Sequence, residues 1–405
     1  MLNDLPQGWS QPRFGELYKR VKRTQGDQDL PVLSVTVDGI VLQADHFNKK
    51  VASADTSDYL RVRRGEVAMS GLNLWKGGID TQRIVPEGVV SPAYKVYSLR
   101  ADAADADFMA HYLRSPPLFD IYKEVSQQGA SIVRRNVDFD ALHASRLPLP
   151  PLPEQKKIAA ILASVDQTIE ATEAVIEQTR RVKDGLLQDL LTRGIGHTRF
   201  KQTEIGEIPE SWETPLLDAV AERGSGHTPS KQFPEYWDGG IKWVSLADSH
   251  ALDQVYLSET DKEISSKGIA NSSAVLHPAG TVFVSRDASV GRSAIAGCDL
   301  AVSQHFIAWR CGARLSNLFL YYFLQGHKSQ FEQIAVGSTI KTIGLGYFKR
   351  LRIPLPSRSE QDAIAERLLS HDECIAVEQR HLDQLRLLKS GLLQDLLTGA
   401  VRVAA

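Results

Sequence analysis

Histidine and cysteine are the side chains that most often carry catalysis or hold metals, and this chain of 405 residues has eleven histidines and three cysteines. The histidines are scattered, without the i, i+4 spacing beside a carboxylate that is typical of a helical zinc site. Cys298, Cys311 and Cys374 form no CxxC spacing and are too few for a disulfide framework. These residues predict no metal centre, and their number fits a reducing, cytoplasmic compartment.

Two short segments resemble catalytic loops, but neither has the residues that the chemistry needs. Ser91-Pro92-Ala93-Tyr94 is similar to the Asn/Asp-Pro-Pro-Tyr element of amino-methyltransferases, but it lacks the polar first residue that would hold the target amine. Gly224-Ser225-Gly226-His227 is rich in glycine, but it lacks the strand–loop–helix context of a phosphate site. The chain has no GxxxxGK[ST] loop either. We therefore expect a protein that binds and does not catalyse.

The composition is that of a soluble globular protein, with 42% hydrophobic and 24% charged residues. Its length predicts two or three domains. No N-terminal signal pattern and no long apolar run is present, so we expect neither export nor a membrane partner. The net charge of −2 gives no whole-chain signature of nucleic-acid binding, although basic surface can be local.

The elements that would position any binding residues occur twice. Residues Glu154–Thr192 align without a gap with Glu360–Thr398, 206 positions later, and both segments end in GLLQDLLT. A Pro-Leu-Pro element precedes each copy, at 148–150 and at 354–356. A repeat of this length, alternating with two longer and less similar segments, indicates a duplicated chain.

Apolar residues in each copy follow a heptad spacing, which predicts two long helices. We expect the helices to pair with each other as an antiparallel coiled coil, with the two domains at opposite ends. The alternative is that each helix docks on its own domain. Gly185 and Gly391 match within the repeat and predict a close helix crossing. The predicted seam residues are Ile158, Leu162, Val165, Ile169, Ile176, Leu186, Ile364, Leu368, Ile375, Leu382, Leu385 and Leu392.

The segments before each helix repeat more faintly. Gly65–Ser70 corresponds to Gly280–Ser285, and short β-branched runs with glycine punctuation predict strands, with a brief helix at Asp107–Leu113. We predict an α+β fold of two mixed α/β domains that are joined and spaced by the helices. The predicted boundaries are 1–150 and 201–356 for the domains, and 151–200 and 357–405 for the helical regions.

In this order the elements resemble the specificity subunit of type I restriction–modification enzymes, and the resemblance covers essentially the whole chain. The family's entry to each helix, Pro-Leu-Pro followed by Glu-Gln, is similar to residues 149–155 and 353–361 here. The second domain also resembles the family at Gly226, Thr228–Lys231, Tyr236-Trp237 and Gly240–Val244. The first domain lacks a clear copy of that pattern.

The resemblance implies a non-catalytic subunit that binds a bipartite, asymmetric target in double-stranded DNA, with one target-recognition domain for each half-site. It also implies two modification subunits that use S-adenosylmethionine to methylate adenine. Restriction subunits, with a motor and a nuclease that use ATP and Mg, can join them. No cofactor is expected in this chain itself. A helix of roughly 58 Å would correspond to about 17 base pairs.

Basic clusters and residues in corresponding loops supply the candidate DNA contacts. The loops around Met69–Trp75 and Ser285–Arg292 are predicted to occupy equivalent places, and because they differ in sequence we expect the two half-sites to differ. The net charge predicts that tight binding needs the modification subunits. The candidates are Lys19, Arg20, Lys22, Arg23, Arg63, Arg64, Asn73, Arg134, Arg135, Lys231, Lys242, Arg286, Arg292 and Lys341.

Two other interpretations are open. The chain could serve a related system whose partner fuses methyltransferase and nuclease in one polypeptide, because the specificity subunit would look the same. It could also be a coiled-coil adaptor with no DNA role, which predicts no sequence-dependent retention of DNA.

Overall fold

A computed structural model of the chain describes residues 5–46, 52, 55–100, 102–128, 135–337 and 341–403. The chain divides into two compact units, residues 1–173 with 380–405, and residues 174–379. Each unit therefore combines one α/β domain with part of both long helices. We call residues 5–150 the first domain and 201–356 the second domain. The four predicted segments follow the order of the chain, whereas the compact units divide each long helix in two.

The first unit is built on an antiparallel sheet with the strand order β1-β8-β5-β6. Its strands are β1 (Tyr18–Val21), β2 (Leu33–Thr36), β3 (Gly39–Leu42), β4 (Leu60–Arg63), β5 (Val67–Ser70), β6 (Ile79–Thr81), β7 (Glu87–Val90), β8 (Tyr94–Leu99), β9 (Ser126–Gln128) and β10 (Arg135–Val137). Its helices are α1 (Phe14–Leu17), α2 (Gln43–His46), α3 (Ala106–Tyr112), α4 (Pro116–Glu124), α5 (Phe139–Ala144), the 3-10 turn Leu74–Lys76 and the start of α6 (Leu152–Arg193).

Local sequence explains the key elements of this unit. All four residues of β5 are buried, because the strand is central in the sheet. The Asp105 carboxylate accepts a hydrogen bond from Phe108 N and caps α3, which lies within one residue of the predicted helix. Phe108 and Tyr112 then bury their rings in the core of the domain.

The second unit has a sheet with the order β13-β21-β18-β19-β15 and a smaller one with the order β16-β14-β20-β17. Its strands are β11 (Phe200–Thr203), β12 (Gly206–Pro209), β13 (Ala221–Ser225), β14 (Trp237–Val244), β15 (Tyr256–Leu257), β16 (Lys262–Ile264), β17 (Leu276–His277), β18 (Val282–Ser285), β19 (Ser293–Ala296), β20 (Leu300–Val302) and β21 (Phe306–Cys311). Its helices are the end of α6, α7 (Ser266–Ala270), α8 (Asn317–Gly326), α9 (Lys328–Ile334), α10 (Leu345–Phe348), the first part of α11 (Arg358–Thr398) and the 3-10 turns Leu217–Ala219, Pro234–Tyr236 and Leu246–Ala251.

The two domains share one framework, as the sequence predicted. The order β1-β8-β5-β6 of the first domain recurs as β13-β21-β18-β19 in the second. The registers also correspond, since Tyr18 lies opposite Leu99 and Ala221 lies opposite Cys311. Equivalent positions of the two domains can therefore be compared residue by residue.

The two long helices begin within two residues of their predicted starts and pair in antiparallel fashion. Within the first unit Asp166 contacts Lys389 and Glu173 contacts Arg386, so positions rise on α6 as they fall on α11. Left-handed glycines follow both helix ends, Gly194 with φ 64° and Gly399 with φ 75°.

Both predicted packing modes of the helices occur. Ile158 and Leu162 are fully buried in the core of the first domain, and Ile364 and Leu368 are fully buried in that of the second. Nearer the middle of the helices, the seam residues depend on the partner helix. Ile176 and Leu382 are buried there, and Val165, Ile169, Ile375 and Leu385 are partly buried. Leu186 and Leu392, nearer the helix ends, are partly buried and pack against the domain cores.

The predicted close helix crossing at the two matching glycines is wrong. Within the described residues, no atom lies within 4 Å of a Cβ added at Gly185 or at Gly391. The two glycines are exposed, and packing within the chain does not require them.

The Glu-Gln pair at the start of each helix fastens the helix end. The Glu154 carboxylate accepts hydrogen bonds from the Arg402 guanidinium, at 2.8 Å, and from Val403 N, in the segment that follows α11. Glu360 accepts hydrogen bonds from Ile195 N and from the Trp212 indole N–H. Each glutamate therefore ties the start of one long helix to the residues that follow the other.

The adjacent glutamines connect the helices to their domains. The Gln155 side chain accepts a hydrogen bond from Asp105 N and donates one to Pro150 O. Gln361 makes the equivalent bonds, since it accepts from Ser316 N and donates to Pro356 O. Because both glutamines are buried, removing either side chain would leave backbone groups without partners.

Candidate nucleic-acid interface

Three cations lie on one face of the sheet in the first domain. Arg20 on β1 is opposite Tyr97 on β8, and Lys22 directly follows the end of β1. The charges of Arg20 and Lys22 both act on Lys95 of β8. Lys95 alternates with Tyr97 in β8 and therefore points to the same side of the sheet as Arg20, while Lys22 lies close enough for its charge to act on Lys95. Within the described part of the chain, no carboxylate lies within 4.0 Å of these three cations. We call this set the basic face.

The electrostatics of the basic face are those of an uncompensated cluster. The pKa of Lys95 is lowered by partial burial and then by the neighbouring charges of Arg20 and Lys22. Like charges at this spacing repel each other, and an anion placed among them would relieve the repulsion.

Aromatic side chains lie next to these cations. The Lys95 ammonium lies 5.9 Å from the centre of the Phe139 ring. The Tyr97 hydroxyl is 3.0 Å from His143 Nε2, and His143 stacks with the buried Phe14 ring. Since Phe139 and His143 both belong to α5, this helix packs on the same side of the sheet as the cations.

A loop beside the basic face carries a second cationic group. Arg135 N donates to Leu72 O at 3.1 Å, which holds the loop against β10. The Trp75 ring contacts two cations, the Lys76 ammonium at 4.8 Å and the Arg135 guanidinium at 4.3 Å. Asn73 is partly exposed at the start of the 3-10 turn. A flat aromatic ring with cations and an amide suits nucleic-acid recognition.

The other predicted residues of the first domain do not join this surface. Lys19 is exposed on the opposite side of β1, by strand alternation. Arg23 is paired with Glu66. Arg63 is paired with Glu87 at 3.0 Å, and Arg64 is exposed with its guanidinium 3.4 Å from a backbone carbonyl. Arg134 lies outside the described residues.

In the second domain most of the predicted cations have partners within the domain. The Arg286 guanidinium donates to Ile343 O at 3.1 Å, and that of Arg292 donates to Ser249 O at 2.6 Å. Lys242 contacts two glutamates, which raise its pKa. Lys231 and Lys341 are exposed. Among the predicted cations of this domain, these two lysines are the ones most accessible to a ligand.

The two predicted recognition loops occupy equivalent places, as the sequence indicated. In the first domain Val137 N donates to Gly71 O, directly after the buried strand β5. In the second, Ile343 N donates to Arg286 O, directly after the buried strand β18. The Asp287 carboxylate contacts His305 Nδ1 at 2.9 Å beside this loop, a pair that no local sequence signal indicated.

The equivalent of the basic face carries different charges in the second domain. Arg223 lies opposite Trp309, as Arg20 lies opposite Tyr97, but an ion pair with Asp218 at 3.3 Å offsets its charge. In the same register, Ser225 and Ile307 occupy the positions of Lys22 and Lys95. The two domains therefore present different surfaces on the same framework.

The segments that resembled catalytic loops have structural roles. Ser91–Tyr94 is a turn that leads into β8, closed by a hydrogen bond from Tyr94 N to Ser91 O at 2.9 Å. A Cβ at Gly226 would lie 2.0 Å from Val302 O, so close strand packing requires glycine there. Among the described residues, no three His, Cys, Asp or Glu side chains group as metal ligands. Across those same residues, no helix has the length and apolarity to span a membrane.

Two domains with one framework, unlike charged surfaces and a pair of long helices define a duplicated recognition protein. The family described as type I restriction modification DNA specificity domain matches residues 82–180 and 209–387, more than half of the chain. The chain belongs to this family, and it is a non-catalytic DNA-recognition subunit of the restriction–modification class.

Curated relatives cover most of the chain. It is 24% identical over 416 aligned residues to the type I restriction enzyme MjaVIII specificity subunit of Methanocaldococcus jannaschii, covering 98% of this chain and 94% of that one. It is 27% identical to the putative type I restriction enzyme MjaX specificity subunit of the same organism, covering 73% and 68% of the two chains.

Solved structures share the fold. A chain from a structure of the type I R-M system, described for complex assembly and conformational transition, has a TM-score of 0.61 at 17% identity and covers 98% of this chain and 100% of that one. The type I restriction-modification S subunit from M. genitalium has a TM-score of 0.57 at 13% identity and covers 97% and 96%.

Proposed function

We propose that the chain reads a bipartite, asymmetric DNA target, with one domain for each half-site. The observation that carries this proposal is the pair of equivalent loops, each after a central buried strand, with different charges around them. The basic face supplies phosphate contacts in the first domain, and the loop with Asn73, Trp75 and Arg135 lies beside it to contact bases. Because the two loops differ in sequence, the two half-sites differ.

The partners in this proposal are double-stranded DNA and two identical modification subunits. The helix ends Gly185–Thr192 and Gly391–Thr398 are identical in sequence and offer the same residues twice, which suits two copies of one partner. Those subunits would bring S-adenosylmethionine, and restriction subunits would bring ATP and Mg. With a net charge of −2, the chain depends on its partners for part of the electrostatic affinity for DNA.

Methylome sequencing tests the proposal directly. A methylation-free host that expresses this chain with its modification subunit should acquire N6-methyladenine at one bipartite motif, with one methylated adenine in each half. Host cells that carry the modification subunit alone are the control. A motif that is continuous, or methylation that appears without this chain, would contradict the proposal.

Domain exchange assigns each half of the motif. Replacing residues 1–150 with the corresponding domain of a relative should change one half-site and leave the other half-site and the gap unchanged. Replacing residues 201–356 should have the reciprocal effect. If either exchange changes both half-sites, the domains do not read DNA independently.

A further inference from the structure

A partly buried ion pair joins the two long helices within the second unit. Lys183 Nζ on α6 lies 2.5 Å from Asp372 Oδ1 on α11, and the two side chains are 16% and 21% exposed. The Tyr322 hydroxyl on α8 donates to the other carboxylate oxygen of Asp372 at 2.8 Å. One carboxylate therefore connects both long helices with the globular domain.

The same pair recurs in the first unit with the helices exchanged. Lys389 Nζ on α11 lies 2.5 Å from Asp166 Oδ1 on α6. Lys389 follows Lys183 by 206 residues, and Asp372 follows Asp166 by the same interval. On α3 of this domain, His111 lies close enough for both charges to act on it. Burial lowers the pKa of His111, Asp166 opposes that shift and Lys389 adds to it.

Stability alone does not explain such pairs. Moving two charges out of water costs about as much free energy as their mutual attraction supplies. Well-packed apolar residues can therefore often replace a buried ion pair without loss of stability. Polar residues in the seam between two helices are known to specify the register in which the helices pair. Antiparallel pairing brings lysine to aspartate in both units, whereas parallel pairing of equivalent positions would bring Lys183 to Lys389 and Asp166 to Asp372. The charges thus favour one orientation and one register.

We propose that the two Lys–Asp pairs are positioning residues that fix the register of the helices and, through it, the number of base pairs between the two halves of the DNA target. This inference rests on the proposed bipartite reading. Tyr322 extends the constraint to the second domain, because it ties α8 to the same carboxylate.

The test replaces the polar groups with apolar ones that keep the packing. The variant carries Lys183→Met, Asp372→Leu, Tyr322→Phe, Lys389→Met and Asp166→Leu, and is assembled with its modification subunits. Methylation rates are compared on duplexes with the native half-sites and a gap of native length, one base pair shorter or one longer. We expect an unchanged thermal midpoint, while the preference for the native gap falls about tenfold, which is about 1.4 kcal/mol.

An exposed pair within one helix provides the control. Glu177→Gln with Arg181→Gln removes a pair whose side chains are 56% and 70% exposed, and should leave the gap preference unchanged. A folded apolar variant with the native gap preference would overturn the inference. If the wild-type complex methylates no bipartite target, the proposed function fails instead.

A charge exchange keeps the inference testable if the apolar variant does not fold. Lys183→Asp alone should relax the gap preference, because two aspartates would then face each other. Lys183→Asp combined with Asp372→Lys should restore the preference. If the combination restores stability but not the preference for one gap, the pair does not set register.

Discussion

At the scale of single residues, the distribution of ion pairs separates structural cations from cations available to a ligand. In the first domain Arg23, Arg61 and Arg63 are each held by a glutamate. The three cations of the basic face have no such neighbour within the described residues. Uncompensated like charges on one face repel each other, and an anionic ligand bound among them would relieve that repulsion.

Lys95→Gln tests the basic face. Loss of one phosphate contact should reduce the slope of log K against log salt by about 1, with weaker binding to all sequences and the same target preference. The measurement is DNA affinity of the assembled complex across a salt series. Lys19→Gln, on the opposite side of β1, is the matched control and should leave the slope unchanged. Equal slopes for Lys95→Gln and the wild type would contradict the assignment.

The sequence pattern identified two of the three cations of the basic face and missed the third, because strand pairing brings the third to the others from a distant segment. Runs of basic residues identified Arg20 and Lys22, but they also identified Arg23 and Arg63, whose glutamate partners lie on other strands or turns. Lys95 stands alone between apolar residues of β8 and gave no signal. Its role depends on strand pairing between distant segments, which local patterns do not reveal.

Gly185→Ala and Gly391→Ala should stabilise the isolated subunit. Each replaces glycine in an exposed helix interior with the best helix former, for a gain of about 1 kcal/mol. The added methyl groups meet no atom within 4 Å, and neither glycine has a positive φ. Chemical denaturation measures the change in the free energy of unfolding.

Gly194→Ala is the control of opposite sign for these substitutions. Its φ is 64°, and its Cβ would lie 2.6 Å from a carboxylate oxygen of Glu360. It should therefore destabilise the subunit. If Gly185→Ala and Gly391→Ala also destabilise the subunit, helix propensity does not decide the outcome at these positions.

At the scale of secondary-structure elements, the Glu-Gln pair at the start of each long helix has the same role in both copies of the repeat. The glutamate binds residues after the other helix, and the glutamine binds the cap of a helix in the domain. Each pair thus fixes the position of a domain on its helices, which a recognition subunit requires.

Glu154→Gln should destabilise the first unit by about 2 kcal/mol, because a buried, charge-assisted pair with Arg402 is lost. Hydrogen bonding to Arg402 lowers the pKa of Glu154 below its usual 4.5. The wild type therefore holds this advantage above pH 4.5 and loses it as the pH falls through the lowered pKa. The measurement is the free energy of unfolding at pH values from about 3 to about 7, a range in which carboxylates titrate.

The exposed Glu170→Gln is the control for this substitution and should change the unfolding free energy little at any pH. A difference between the wild type and Glu154→Gln that persists unchanged to the acid limit would show that the charge of Glu154 is not its source.

The heptad pattern predicted the helices well and their packing less completely. It located both starts within two residues, because apolar spacing is a local signal. It did not show that Ile158 and Leu162 enter a domain core while Ile176 lies in the helix seam. A stripe of apolar residues specifies that a face is buried, but the partner is set by residues far along the chain.

At the scale of the whole molecule, the duplication separates two tasks. The helix ends and the Glu-Gln contacts recur closely, because both units need the same attachment and, as proposed, the same partner. The surfaces around the equivalent loops diverge, since Lys22 and Lys95 correspond to Ser225 and Ile307. One chain can in this way combine two closely similar attachments of domain to helix with two different surfaces around the equivalent loops.

Matched heptad insertions test the spacer role of the helices. One heptad is inserted after Glu173 in α6 and one after Gln379 in α11, where the compact units divide. Each insertion adds about 10.5 Å of helix, which corresponds to about three base pairs of DNA. Methylome sequencing should therefore find the same two half-sites with a gap about three base pairs longer.

An insertion in α6 alone is the control. It would place Asp166 and Lys183 out of register with Lys389 and Asp372, so at least one of the ion pairs that hold the helices would be lost. We expect reduced stability and weak methylation from that variant. If the matched insertions leave the gap at its native length in a folded, active complex, the helices do not set the spacing, and the modification subunits must set it instead.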